Sequence, residues 1–103
     1  MAKKKDGYLE ETQLHEEILT HISARRYRLT KHAVEELKKD DLELKDAIHV
    51  LKTGDHNNKK TGFDSHNQTW KYAIEGRTED LTKRVRVIIA FVGEMLIITA
   101  MEL

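Results

Sequence analysis

The sequence predicts an α+β domain, with its helices first and an antiparallel sheet after them. Three observations predict it. Up to Gly54 the apolar residues recur at helical spacing, from Trp70 onward they alternate at the period of a strand, and Gly93-Glu94 leaves room for only a tight connection between the last two strands. Helical segments followed by a run of strands imply helices packed on one sheet face. The expected sheet is a twisted, mainly antiparallel β-meander of three to four strands.

Residues 1–7 read as a solvated tail whose lysines serve solubility, and residues 8–103 as a single domain. From residue 8 to about residue 24, Leu14, Ile18 and Ile22 recur every four residues. Glu10, Glu11, Glu16 and Glu17 lie toward the N-terminal end and Arg25 and Arg26 just beyond the other, so this is an amphipathic helix charged to suit its dipole. Tyr27-Arg28-Leu29 forms a short extended segment. Thr30 is then the N-cap of a helix that bears Ala33, Val34 and Leu37 and ends near Asp40. A third helix spans residues 44–53, with Ala47, Ile48 and Leu51 on one face, Asp46 in its first turn and Gly54 just past its end.

Residues 55–68 are polar, include Asn57-Asn58 and Gly62, and form either a long loop or a frayed edge strand. Trp70, Tyr72 and Ile74 alternate with Lys71, Ala73 and Glu75, the period of a strand with one wet face. Residues 76–83 make a turn. In the next strand Val85, Val87, Ile89 and Phe91 are apolar on one face, and Ile88, Ala90 and Val92 join Arg86 on the other, which makes it central. Residues 95–101 close an antiparallel hairpin on Gly93.

Composition narrows the function. A chain of 103 residues and 12.0 kDa holds one ordinary domain. Eighteen Lys and Arg balance eighteen Asp and Glu, so nucleic acid can be held only through a local patch. The densest basic cluster, Arg25, Arg26, Arg28 and Lys31, either supplies that patch or pairs with the acidic first helix. The absence of cysteine excludes a thiolate nucleophile, a Cys-type zinc site and a redox motif. The longest apolar stretch, residues 85–92, is interrupted by Arg86 and falls far short of the roughly 20 residues of a membrane helix. With no signal-peptide core, the expectation is a cytoplasmic protein with no membrane partner.

The histidines, His15, His21, His32, His49, His56 and His66, show no H-x-x-x-H or H-E-x-x-H spacing, so no metal site is expected. His56, Asp64 and His66 could meet around a metal only if the polar loop folds back on itself. Neither G-x-x-x-x-G-K-[ST], G-x-G-x-x-G nor G-x-S-x-G occurs, so no nucleotide or redox cofactor is expected and serine hydrolysis lacks support.

Four segments in order carry a resemblance: Tyr27-Arg28-Leu29-Thr30-Lys31-His32-Ala33; the helix ending at Gly54; Trp70-Lys71-Tyr72-Ala73-Ile74-Glu75-Gly76-Arg77-Thr78; and Val85-Arg86-Val87-Ile88 with Met95-Leu96-Ile97-Ile98-Thr99. A T-x-H-A element followed by a Y-x-I-x-G-[KR]-T strand and an apolar terminal hairpin resembles the small prokaryotic proteins labelled domain of unknown function 4258, over about residues 27–102. That family is similar in turn to the compact RelE-like, MqsR-like and BrnT-like toxins of toxin–antitoxin pairs. The resemblance implies a RelE-like fold and an RNA endonuclease that needs no metal. It matches this chain at His32 and at Gly76-Arg77.

Such cleavage needs a base for the ribose 2′-hydroxyl, an acid for the leaving 5′-oxygen and cations for the transition-state charge. His32, in the first turn of its helix, is the candidate base or acid; the alternative is that it caps or packs the helix start. The helix dipole would favour neutral imidazole there, and Glu36, one turn on, would orient the ring and favour the protonated form. Arg77 and Arg86, with Arg28 and Lys71, are candidate phosphate clamps, because a guanidinium fork binds two oxygens at once; their alternative is structural ion pairing. Arg86 stands out, since a charge within an apolar strand needs a reason. Tyr72 could stack on a base or donate a proton, or pack in the core beside Trp70.

Two functions follow as expectations. One is a toxin-like RNA endonuclease acting on free or ribosome-bound mRNA and silenced by an antitoxin protein. The other is a non-catalytic module that binds protein or RNA through the same sheet face. Ribosome-dependent RelE-like toxins are strongly basic, and this neutral chain departs from that pattern. The apolar face of the first helix would suit either a homodimer or packing against the sheet.

Overall fold

The computed structural model describes residues 7–103. Apart from Gly7, the expected tail lies outside the described residues. Helix α1 spans Glu11–Ser23, strand β1 Tyr27–Leu29, α2 Lys31–Lys39 and α3 Leu44–Thr53. Then come β2 (Asp55–His56), a single 3-10 turn (Asn58–Lys60), β3 (Gly62–Asp64), β4 (Thr69–Arg77), β5 (Arg84–Val92) and β6 (Glu94–Glu102). The sheet order is β1-β6-β5-β4-β2, with β3 also on the outer edge of β4. Among the described residues only β1 runs parallel to its neighbour, pairing Arg28 with Leu96.

The α+β class and the helices-first order match the expectation, but the sheet has six strands rather than three to four. The additional strands are short. β1 has three residues, and the polar stretch before β4 contributes two more pieces, so the edge-strand alternative holds there. None has the length to display a hydrophobic period. What forms them is backbone pairing to the long strands β4 and β6, whose edge N–H and C=O groups need partners.

The core lies between the three helices and one face of the sheet. Leu14 and Ile18 of α1, Ala33 and Leu37 of α2, and Ala47, Val50 and Leu51 of α3 pack on Tyr72, Ile74, Val85, Val87, Ile89, Met95, Ile97 and Ala100. The apolar face of α1 is thus spent inside its own chain. Its N-terminal approach straps the sheet: Tyr8 stacks edge-on against Trp70 with ring centroids 4.6 Å apart, and the Leu9 N–H donates to the Tyr72 hydroxyl at 2.8 Å.

The ends of the elements explain several residues. Thr30 caps α2 by accepting from the Ala33 N–H at 3.1 Å, and the same hydroxyl donates to the Ile98 carbonyl. Ile98 is the extra residue of a β-bulge, since Ile88 pairs with Thr99 and Ile89 with Ile97. Beyond this point β1 has ended, and α2 takes over the bare β6 edge. Glu36 accepts from the Ala100 N–H at 3.0 Å and Asp40 from the Glu102 N–H at 2.8 Å, so two carboxylates stand in for a missing strand.

Gly54 follows α3 with φ −79°, not a left-handed angle. Its requirement is space. A Cβ there would lie 2.6 Å from the Glu75 carbonyl oxygen and 2.7 Å from that of Val50, while one on Gly76 would lie 3.0 Å from the Gly54 Cα. The paired glycines let the end of α3 rest directly on β4. Gly76 and Arg77 therefore belong to the strand, not to the turn expected at residue 76.

In the β4–β5 turn, Asp80 accepts from the hydroxyls of Thr78 at 2.6 Å and Thr82 at 2.7 Å. Those bonds hold its carboxyl at about 2, below its ordinary 3.8, and Asp64 is held at about 2 mainly by Asn67. A depressed folded pKa contributes stability that is complete above the ordinary value and is lost as pH falls through the folded one. The melting temperature should therefore fall as the pH drops from about 4 to about 2, and by less in Asp80→Asn. Parallel melting curves for the two proteins across that range would remove Asp80 as a contributor.

Candidate functional site

Because successive strand residues point to opposite faces, the core-facing set on β4 and β5 leaves Lys71, Ala73, Glu75, Arg77, Arg84, Arg86, Ile88, Ala90 and Val92 on the other face. Leu96, Ile98, Thr99, Met101 and, on β1, Arg28 complete it. The three helices leave this face uncovered. Four of the candidate cations, Arg28, Lys71, Arg77 and Arg86, project from it, and Arg84 joins them.

Most of these cations are held. Glu94 sits 3.3 Å from Arg28 Nε, and Asp64 3.2 Å from Lys71 Nζ. Glu75 accepts from Arg86 Nε at 2.7 Å and from the Asn57 amide at 2.9 Å, with Arg84 at 4.0 Å. This pair answers the charge within β5. Arg86 first, then Asn57 and Arg84, hold the Glu75 carboxyl below its ordinary range against the opposing effect of burial. The Arg77 side chain, exposed at the strand end, makes no hydrogen bond or ion pair among the described residues.

His32 lies where β1 turns into α2, at the rim of this face. Its side chain is 65% exposed, and its Nε2 stands 3.4 Å from Glu36 Oε2. The other Glu36 oxygen is fixed by the Ala100 N–H. Thr30 supplies the helix cap and Ala33 the packing, so His32 does neither. Arg28 occupies the same corner.

The candidate catalytic residues His32, Arg77, Arg86 and Tyr72 are not brought together in one cleft. β6 and β5 separate α2 from Arg77 laterally, and Arg77 lies several residues further along the sheet, roughly 20 Å away at strand rise and spacing. Arg86 is directed to Glu75 on β4. Tyr72 points to the opposite, covered face, where its hydroxyl accepts from Leu9 and donates to the Gly7 carbonyl at 3.3 Å. Burial raises its pKa. Its placement agrees with the core alternative for that strand.

Between the His32 corner and β4 lies a shallow cavity of about 370 Å³ with an apolar floor of Ala90, Leu96 and Ile98 and a rim of Thr30, Asn67, Thr69 and Lys71. The loop histidines and Asp64 are engaged separately. His56 Nε2 meets the Thr61 hydroxyl at 2.7 Å, and Asp64 accepts from the backbone of His66 and Asn67. Among the described residues no three His, Asp or Glu side chains gather as metal ligands. No helix there is long and apolar enough to cross a membrane.

Sequence reasoning missed Arg84. Its parity with Arg86 was available, but its position opposite Arg77 depends on the hairpin register.

Three helices on one side of a six-stranded sheet, with a charged, partly apolar face left open on the other, define a small open-sheet α+β protein. The chain belongs to the family described as Domain of unknown function (DUF4258), whose model matches residues 29–102. The match begins at the end of β1 and leaves α1 outside, although α1 contributes Leu14 and Ile18 to the core. No curated protein and no solved structure matches the chain.

Proposed function

We propose that the chain is a RelE-like toxin of a toxin–antitoxin pair, an RNA endonuclease that works without a metal. On this reading it lays an RNA strand across the uncovered face and uses His32 as the base. One observation carries the reading. In the T-x-H-A element, Thr30 caps the helix and ties down the bulge and Ala33 is fully buried, whereas His32 is two-thirds exposed beside an anchored carboxylate. A residue with no task in the fold, exposed beside a carboxylate at the edge of an open face, is available to a ligand.

His32 takes the proton from the ribose 2′-hydroxyl. The O2′–P bond forms as the P–O5′ bond breaks, giving a 2′,3′-cyclic phosphate, and the leaving 5′-oxygen takes a proton from water. Glu36 orients the ring, and Arg28, on the uncovered face of the adjoining β1, supports the developing phosphorane charge. The adjacent cavity, with its apolar floor and polar rim, accommodates a nucleobase. An antitoxin would silence the protein by covering this face.

A second reading, a non-catalytic module that binds protein or RNA, is favoured by the placement of Tyr72 on the covered face and by the carboxylates that already engage Arg28, Lys71, Arg84 and Arg86. Induced expression in a host without an antitoxin separates the two. Growth arrest with discrete new RNA 5′ ends is the expected result. His32→Ala should lower cleavage by at least about 100-fold, within the usual range for a general base, with an unchanged melting temperature. Absence of arrest and of cleavage by wild type would transfer the reading to the binding module.

A further inference from the structure

Arg77 and Arg84 are directly cross-strand partners in the β4–β5 hairpin, on the uncovered face, with Arg86 the next residue of that face on β5. Like charges placed directly opposite each other on a sheet destabilise it. Glu75 relieves this pair only in part: Arg86 at 2.7 Å and Asn57 at 2.9 Å both bind its Oε2, and its Oε1 reaches Arg84 at 4.0 Å, leaving Arg77 without a carboxylate partner among the described residues. Of the other described acids nearby, none forms an ion pair with either arginine. Asp80 is taken by the Thr78 and Thr82 hydroxyls, Glu79 lies beside Lys45 and His49 on the helix side, and Asp55 lies across Glu75 on β2.

The Y-x-I-x-G-[KR]-T strand sharpens the point. Tyr72 and Ile74 are in the core, Gly76 admits the end of α3, and Thr78 is buried and orders the turn. Arg77 alone has no task in the fold, as His32 alone has none in its own motif.

We propose that Arg77 and Arg84 form a phosphate-binding site, a two-guanidinium clamp that holds the sugar–phosphate backbone of the RNA strand at the far end of the uncovered face from His32. Two planar forks on adjacent strands can each bind two oxygens of one phosphate, and the bound anion removes their mutual repulsion. The site rests on the RNA reading of this face. It makes the ligand an extended strand, because a phosphate at Arg77 lies too far from His32 to be the one cleaved.

The charge conflict supplies a test with opposite signs in stability and binding. Arg77→Glu replaces a repelling pair by an attracting one, so the melting temperature should rise by roughly 2–6 °C. Affinity for a short single-stranded RNA, measured with the His32→Ala protein to prevent cleavage, should fall by about 10-fold. The slope of log affinity against log salt should shrink by roughly 0.7 for each phosphate that is no longer neutralised. Arg77→Gln should show smaller changes in the same directions. Inorganic phosphate protecting the wild type as strongly as the RNA would reassign the clamp to free phosphate and overturn the strand assignment. RNA binding unchanged in Arg77→Glu would remove the clamp and leave the RNA reading intact, whereas no RNA binding by any form would remove both.

Discussion

A chain truncated to begin at Ala24 is expected to lose cooperative folding. Leu14 and Ile18 are each 1% exposed, and fully burying such a side chain is worth about 1.5–3 kcal/mol. The truncation removes both, along with Leu9, Ile22 and the Tyr8 ring that packs on Trp70. The sum approaches the entire stability of a domain this size, about 5–15 kcal/mol. It also uncovers Leu51 and Ile74. Near-ultraviolet circular dichroism and a thermal melt would check this, with a broad transition and lost aromatic signal as the expected result. A cooperative melt within about 5 °C of the full chain would show that the region matched by the family model is sufficient by itself.

Gly54→Ala should be the most damaging single-atom addition to the chain. The backbone angles suit alanine, so the penalty is purely steric, but both close neighbours are carbonyl oxygens that cannot rotate away. The end of α3 must lift off β4, opening the contact of Val50 and Leu51 with the sheet. Overpacking of this kind costs about 3 kcal/mol, a fall in melting temperature of roughly 12–24 °C for a domain of this length. Gly62→Ala is the control, since nothing lies within 4 Å of a Cβ at Gly62. Equal melting temperatures for the two variants would refute the close-approach account of Gly54.

The contrast between glycines shows where reading along the chain stops. Gly93, alone between β5 and β6 at φ +75°, does what a turn glycine is expected to do. Helices α1 and α2 turn out through Arg25 and Asp41 at positive φ, without glycine. The third helix has the glycine but not the angle. Its tightest approach comes from β4, about twenty residues away, and no local signal reports it.

The site divides in the same way. Alternation along β4 and β5 placed Lys71 and Arg86 on the less apolar face, because strand parity is a property of the local backbone, whereas Arg77 was expected in the turn and its face follows only from the longer strand. The Thr30 cap was equally legible, resting on one hydroxyl and one N–H three residues on. The Arg86–Glu75 pair, the opposition of Arg77 to Arg84, the separation of His32 from both and the seat of Tyr72 under the strap were not.

By itself the sequence determined the α+β class, the three helices, the three long strands and the parity of β4 and β5. Each follows from spacing and capping over a few residues. Tertiary structure alone decided the three short strands, the carboxylates that close the β6 edge, the paired glycines and the distribution of cations along one open face. Those depend on hairpin register and helix docking, where a shift of one residue exchanges one face for the other and no stretch of sequence short enough to read carries the choice.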